Sequence, residues 1–106
     1  LKFKKMIKFV YQNSPNGTGD AVLKAKKLIK NKYFLMLLPD DLIVNRNCSK
    51  SLISVHNKDN SSVMASMKVD KKTVSRWGIY RLKKKISNKN FLISGVIEKP
   101  SIKLAP

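Results

Sequence analysis

Phe34-Leu35-Met36-Leu37-Leu38-Pro39-Asp40-Asp41-Leu42 is the stretch whose reading decides the fold. An apolar run ends abruptly in a proline and two adjacent carboxylates. The run is far shorter than the roughly 20 residues a membrane-spanning helix needs, so it reads as a buried strand. Acids at the carboxyl end of such a strand sit where open α/β sheets bind their ligands.

The segments on either side follow from this strand, placed at residues 33–38. Upstream, the apolar residues Ala21, Val22, Ala25, Leu28 and Ile29 recur at helical spacing. They predict a helix over 19–30, with Lys24, Lys26, Lys27 and Lys30 on its outer face and near the negative end of its dipole. Before it, residues 12–18 are rich in Asn, Ser, Pro and Gly and form a loop, and residues 5–11 read as a strand. Downstream, a helix is expected over 48–58, with Leu52, Ile53 and His56 toward the sheet. Val63, Ala65, Met67 and Val69 alternate as a strand over 62–69. A helical turn at 70–75, a strand at 77–82, a polar connection at 83–90 and a strand at 91–99 complete the chain. The order β-α-β-α-β followed by a hairpin-like pair predicts an α/β fold: a mainly parallel sheet with flanking helices and an antiparallel addition. There is no internal repeat, and no boundary suggests a second domain.

The chain has 106 residues and a formal net charge of +17. Such a charge suits a polyanion, but the lysines are spread along every segment and Arg occurs only at 46, 76 and 81. Arg is the better residue for forked contacts to bases and phosphates. No basic cluster is interleaved with aromatics, which counts against a small nucleic-acid-binding module. Lys83-Lys84-Lys85 reads as a solvated hairpin end. Cys48 is the single cysteine, with no partner for a disulfide or a metal site, and fits a reducing cytoplasm. His56 is the single histidine. No signal peptide or membrane span is present, and both ends read as interior to a longer domain.

Three segments carry chemistry. Gln12 precedes the Gly-rich turn Gly17-Thr18-Gly19, where a ligand can approach the backbone at a helix start. The Gln12 amide both donates and accepts, as a nucleobase edge requires. Asp40 and Asp41 offer the hard oxygens that suit Mg²⁺, which is held by one or two carboxylates together with phosphates and water. Only six acids occur in the chain, which makes a pair at this place more telling. Glu98-Lys99-Pro100 supplies an acceptor for sugar hydroxyls and a point charge for a phosphate.

In this order, from about residue 8 to residue 106, the segments resemble the sugar-nucleotide pyrophosphorylases, and within them the bacterial enzymes that act on UTP and glucose 1-phosphate. In that family a Gln five residues before the loop glycine reads the base, and Gln12 and Gly17 keep the spacing. The family's Gly-x-Gly-His-Ala stands here as Gly17-Thr18-Gly19-Asp20-Ala21, with Asp20 in place of the His. Leu38-Pro39-Asp40-Asp41 matches the metal-binding segment, which makes Asp40 the expected Mg²⁺ ligand. Trp77-Gly78-Ile79 resembles Tyr-Gly-Val or Tyr-Gly-Ile, whose glycine backbone lies beside the sugar; Trp77 itself is expected in the core. Glu98 corresponds to the hexose-contacting glutamate and Lys99 to the lysine on the sugar phosphate, the one catalytic residue expected here.

The resemblance implies an incomplete Rossmann-like nucleotidyltransferase domain over 1–106, forming UDP-glucose and pyrophosphate from UTP and glucose 1-phosphate. The family's triphosphate-gripping loop, Gly-x-Gly-Thr-Arg, has no match in residues 1–11, and its second metal-binding Asp lies beyond Glu-Lys-Pro in a segment absent here. The chain alone is therefore expected to be inactive, with a complementing fragment or a homo-oligomer as partner, no specific nucleic acid and no membrane. The alternatives are another sugar-phosphate nucleotidyltransferase, the nucleic-acid module, or a non-catalytic remnant of the fold.

Overall fold

The computed structural model describes residues 6–44 and 46–106. The chain divides into two compact units, Leu1–Ile53 and Ser54–Pro106.

In the first unit, helix α1 (Thr18–Ala25) starts at Gly17, whose φ of 94° lies in the left-handed region open to glycine. The Ala21 N–H donates to the Gly17 carbonyl at 3.2 Å and closes the first turn. Asp20 in the first turn and Lys24 in the last complement the helix dipole and face each other at 3.6 Å. The helix is shorter than its apolar periodicity predicts. It tightens into a 3₁₀ turn at Lys26–Leu28, and Ile29 is already extended. No residue of α1 is buried, and without packing against a neighbour a short helix has little to hold its last turn. An open concavity of about 410 Å³, lined by Val22, Leu23, Ile29 and Phe34 together with Lys26, Asn31 and Lys32, lies along it.

Residues 33–38 join no ladder, and their side chains are exposed. The expected strand over 5–11 fares likewise: residues 6–11 form no strand, and Lys5 lies outside the described residues.

Helix α2 (Cys48–Asp59) contains the division between the units. Asn47 caps its start by accepting the Lys50 N–H on Oδ1 at 2.9 Å. Asn60 ends it with φ 49° and donates its N–H to the His56 carbonyl at 2.7 Å, the left-handed stop that Asn tolerates. Leu52 and His56 are half-buried as the periodicity predicts, whereas Ile53 is exposed.

The second unit is built around a hairpin. Asp70 accepts the Lys72 N–H at 2.8 Å and so caps a 3₁₀ turn, Lys71–Arg76. That turn buries Val74, which is 5% exposed. Strand β1 (Gly78–Lys85) pairs antiparallel with β2 (Phe91–Glu98), from Gly78 opposite Glu98 to Lys85 opposite Phe91. The register shifts between Arg81 and Leu82, where Ser94 is skipped, and again between Leu82 and Lys84, where Lys83 is skipped, so the two irregularities offset and the eight-residue strands end in step. Ile79 faces Ile97, both half-buried. The turn closes through the Asn90 carbonyl, which accepts from Ile86 N–H at 2.9 Å and Ser87 N–H at 3.1 Å. The segment 62–69 joins no ladder, although the Tyr80 hydroxyl reaches the Met64 sulfur at 3.7 Å.

The described residues are therefore α/β, with the antiparallel addition in place. The mainly parallel sheet predicted from the order of runs does not form among them; the only sheet there has two strands. The cause is non-local. An apolar run becomes a strand only when another strand takes up its N–H and C=O groups. No described run pairs with 33–38 or 62–69. Trp77 also departs from the expected core position. It is exposed, with the Arg76 guanidinium 5.8 Å from its ring centroid, and Val74 occupies the buried place.

Candidate substrate and metal site

In the first unit, the loop at 12–17 closes against the first turn of α1. The Gln12 carboxamide nitrogen donates to the Gly17 carbonyl at 3.2 Å and to Asp20 Oδ2 at 2.6 Å. Gln12, Gly17 and Asp20, eight residues apart at most, are thereby brought together. The Asp20 contact was not legible in the sequence. The only signal for it was a carboxylate where the resembled family carries His.

Asp40 lies in the turn Leu38-Pro39-Asp40-Asp41, closed by the Asp41 N–H on the Leu38 carbonyl at 3.3 Å. Proline is pre-set for the second position of such a turn. Asp40 and Asp41 are both exposed and make no ion pair among the described residues. No group of three or more acids, histidines or cysteines gathers there among the described residues. A lone exposed carboxylate fits Mg²⁺, which takes most of its remaining ligands from phosphate and water, and does not fit a metal that needs an all-protein cage. Asp40 would be the holder, with hard oxygens and open solvent in front of it.

The second unit brings Gly78, Glu98 and Lys99 together through the hairpin register. Gly78 sits opposite Glu98, and a Cβ at Gly78 would come 3.0 Å from Glu98 Oε2 and 3.4 Å from Val96 Cγ2. The absent side chain thus gives the carboxylate room against the strand. Lys99 follows with φ 45°, a left-handed conformation uncommon outside Gly, Asn and Asp. Its N–H donates to the Trp77 carbonyl at 2.9 Å, which extends the pairing past Glu98. Its Nζ lies 3.9 Å from Glu98 Oε1, with both side chains well exposed, and Pro100 behind them is buried. A carboxylate and an ammonium thus stand side by side on a fixed backbone corner. Such a pair can accept from hydroxyls and neutralise a phosphate at neighbouring points. Strain held at a charged position of this kind is more often found at ligand sites than elsewhere.

Comparison with known proteins supplies the family. The family described as Nucleotidyl transferase matches residues 2–106. The chain belongs to the nucleotidyltransferase family. It is 35% identical over 103 residues to UTP–glucose-1-phosphate uridylyltransferase of Streptococcus pyogenes, covering 92% of this chain and 34% of that protein. UTP–glucose-1-phosphate uridylyltransferase 1 of serotype M1 and uridylyltransferase 2 of serotype M3 (strain ATCC BAA-595 / MGAS315) match at the same identity and coverage. The chain spans about a third of the length of these curated relatives. No helix among the described residues is long and apolar enough to cross a membrane.

Proposed function

We propose that this nucleotidyltransferase chain carries the base-reading loop, one metal-holding carboxylate and the sugar-phosphate clamp of a UTP–glucose-1-phosphate uridylyltransferase. One observation supports this most. The motifs at Gln12–Gly17, Leu38–Asp41, Trp77–Ile79 and Glu98–Pro100 occur in the family's order along a chain 35% identical to such enzymes across 92% of its length.

In the proposed reaction an oxygen of glucose 1-phosphate attacks the α-phosphorus of UTP. The bond from that phosphorus to the bridging oxygen breaks, pyrophosphate leaves, and UDP-glucose forms with no covalent enzyme intermediate. Two anions must meet, so alignment and charge neutralisation supply the rate enhancement. Lys99 would neutralise the sugar phosphate, Glu98 would accept from hexose hydroxyls, and the bare Gly78 backbone would let the hexose lie close. Gln12 would read the uracil edge above the open Gly17 turn. Asp40 would hold Mg²⁺, which when bound supplies positive charge to the phosphates. In the whole domain, residues 33–38 and 62–69 would be strands of a Rossmann-like parallel sheet, which puts the Asp40 turn at a strand's carboxyl end. The single free Cys48 fits a cytoplasmic setting.

The test is calorimetric titration of the purified chain with UTP, glucose 1-phosphate and UDP-glucose in Mg²⁺, beside a pyrophosphate-release assay. Binding of UTP and UDP-glucose with little or no turnover is the expected result. Turnover returns only when segments bearing the Gly-x-Gly-Thr-Arg loop and a second metal carboxylate are supplied. A chain that binds none of the three ligands refutes this reading.

A further inference from the structure

Gln12 is the only glutamine in the chain, and its amide nitrogen is fully committed. A carboxamide nitrogen carries two hydrogens. One goes to the Gly17 carbonyl at 3.2 Å and the other to Asp20 Oδ2 at 2.6 Å. Both partners are acceptors without a hydrogen to give. The amide therefore has one allowed orientation, because turning it over would set its oxygen against two oxygens. Gly17 is held in turn, since its carbonyl also accepts the Ala21 N–H at 3.2 Å. Asp20 is held too: Lys24 Nζ lies 3.6 Å from Oδ1, which leaves Oδ2 for Gln12. What remains is Gln12 Oε1, with no donor reaching it among the described residues.

We propose that Asp20 is a positioning residue that fixes the Gln12 carboxamide, so that the loop reads a base through one acceptor atom, Gln12 Oε1. This deepens the nucleotide-binding reading and rests on it. A lone acceptor selects a base with an N–H at the reading position. Uracil presents N3–H there. Cytosine presents a bare N3 lone pair, which opposes the Gln12 oxygen. The neighbouring uracil O4 gains nothing from Gln12, because no hydrogen of the amide is left for it. A freely turning glutamine would serve both pyrimidines by turning over, and Asp20 prevents that.

The experiment uses the whole 106-residue chain and two-dimensional ¹⁵N–¹H spectra, in which the single Gln side-chain amide gives an assignable pair of signals. Titrations are made with UTP, CTP and N3-methyl-UTP, which lacks the hydrogen in question. UTP is expected to bind roughly tenfold or more tighter than N3-methyl-UTP and CTP, in line with the discrimination one mismatched polar contact gives. In Asp20→Ala the two Gln12 amide signals should move, and the UTP-to-CTP ratio should fall to about threefold or less. Asp20→Asn, which keeps an oxygen acceptor, should retain most of the selectivity, and this second variant separates positioning from loss of folding. Equal weakening of all three nucleotides by Asp20→Ala makes Asp20 a loop brace and overturns the proposal. Equal binding of UTP and N3-methyl-UTP by the unaltered chain overturns it as well. Absence of any UTP response removes the underlying nucleotide-binding reading, and the proposal with it.

Discussion

Lys99 combines a charge that the proposed chemistry uses with a backbone conformation that lysine disfavours. The two can be separated by substitution. Lys99→Ala and Lys99→Gly both remove the ammonium, and both should weaken glucose 1-phosphate binding to a similar degree. They should differ in stability, because only glycine takes φ 45° without a Cβ clash. Denaturant melts should find the Gly variant more stable than the Ala variant by about 0.5–1 kcal/mol. Equal stabilities would mean that the left-handed corner is not held in solution. The two acids at the turn divide in the same way. Asp40→Asn should reduce the Mg²⁺ dependence of UTP binding far more than Asp41→Asn, since the first acid is the assigned holder. Magnesium titrations of both variants at fixed UTP decide it, and equal losses would assign the metal to the pair. Gly78 tests the clamp from the backbone side. In Gly78→Ala the new methyl meets Glu98 Oε2, the far end of a flexible side chain, so Glu98 moves rather than the strand. UDP-glucose binding should fall while the melting midpoint changes little.

At the scale of elements, the described structure sorts by whether an element can be completed locally. The hairpin closes within about twenty residues, and its strands fall close to where alternation and apolar character put them. The second helix also needs only its own caps, Asn47 and Asn60, and runs almost as its periodicity predicts. The runs at 33–38 and 62–69 have strand character but no partner among the described residues, so pattern alone did not make them strands. Trp77 was misplaced for a related reason. Its apolar bulk suggests a core, but three residues past Val74, at the end of the 3₁₀ turn, it is exposed beside Arg76. The Gln12–Asp20 bond lay outside what pattern reading reaches, because only the folded turn brings the two together. Native-state hydrogen exchange should show this division directly. Amides paired across β1 and β2 should be protected, while those of 33–38 should exchange close to the rate of an unfolded chain. Protection across 33–38 in the isolated chain would mean that the run finds a sheet partner. Val74→Ala should erase the hairpin's protection first. It removes about two buried methylene equivalents, roughly 1.5 kcal/mol, from a unit with little else buried.

For the whole molecule, the question is what a net charge of +17 does on a chain of 106 residues. Under the proposed function two anionic substrates would draw on part of it, and the lysines otherwise lie along every segment of the chain. All but three of the 23 cations are lysine, a strongly hydrated point charge without the planar fork that reads a base edge. Among the described residues, ring–cation contacts pair Lys32 with Tyr33 and Arg76 with Trp77 at 5.3 and 5.8 Å, each between neighbours in sequence. Neither forms a run of aromatics on which successive bases would stack. Nucleic acid should therefore be attracted through counterion release alone. Binding to labelled duplex and to single strands should be indifferent to sequence. It should also weaken on the order of 10³-fold when salt rises from about 50 to about 200 mM, as expected when several phosphates are contacted. UTP binding at the Gln12 loop should fall much less over the same range, because hydrogen bonds to the base do not depend on released counterions. Fluorescence anisotropy for the nucleic acids and calorimetry for UTP measure both slopes on one preparation. A steep slope for nucleic acid beside a shallow one for UTP separates a general electrostatic attraction from a built site. Sequence-selective binding that survives the higher salt would reverse that assignment and make nucleic acid the specific partner.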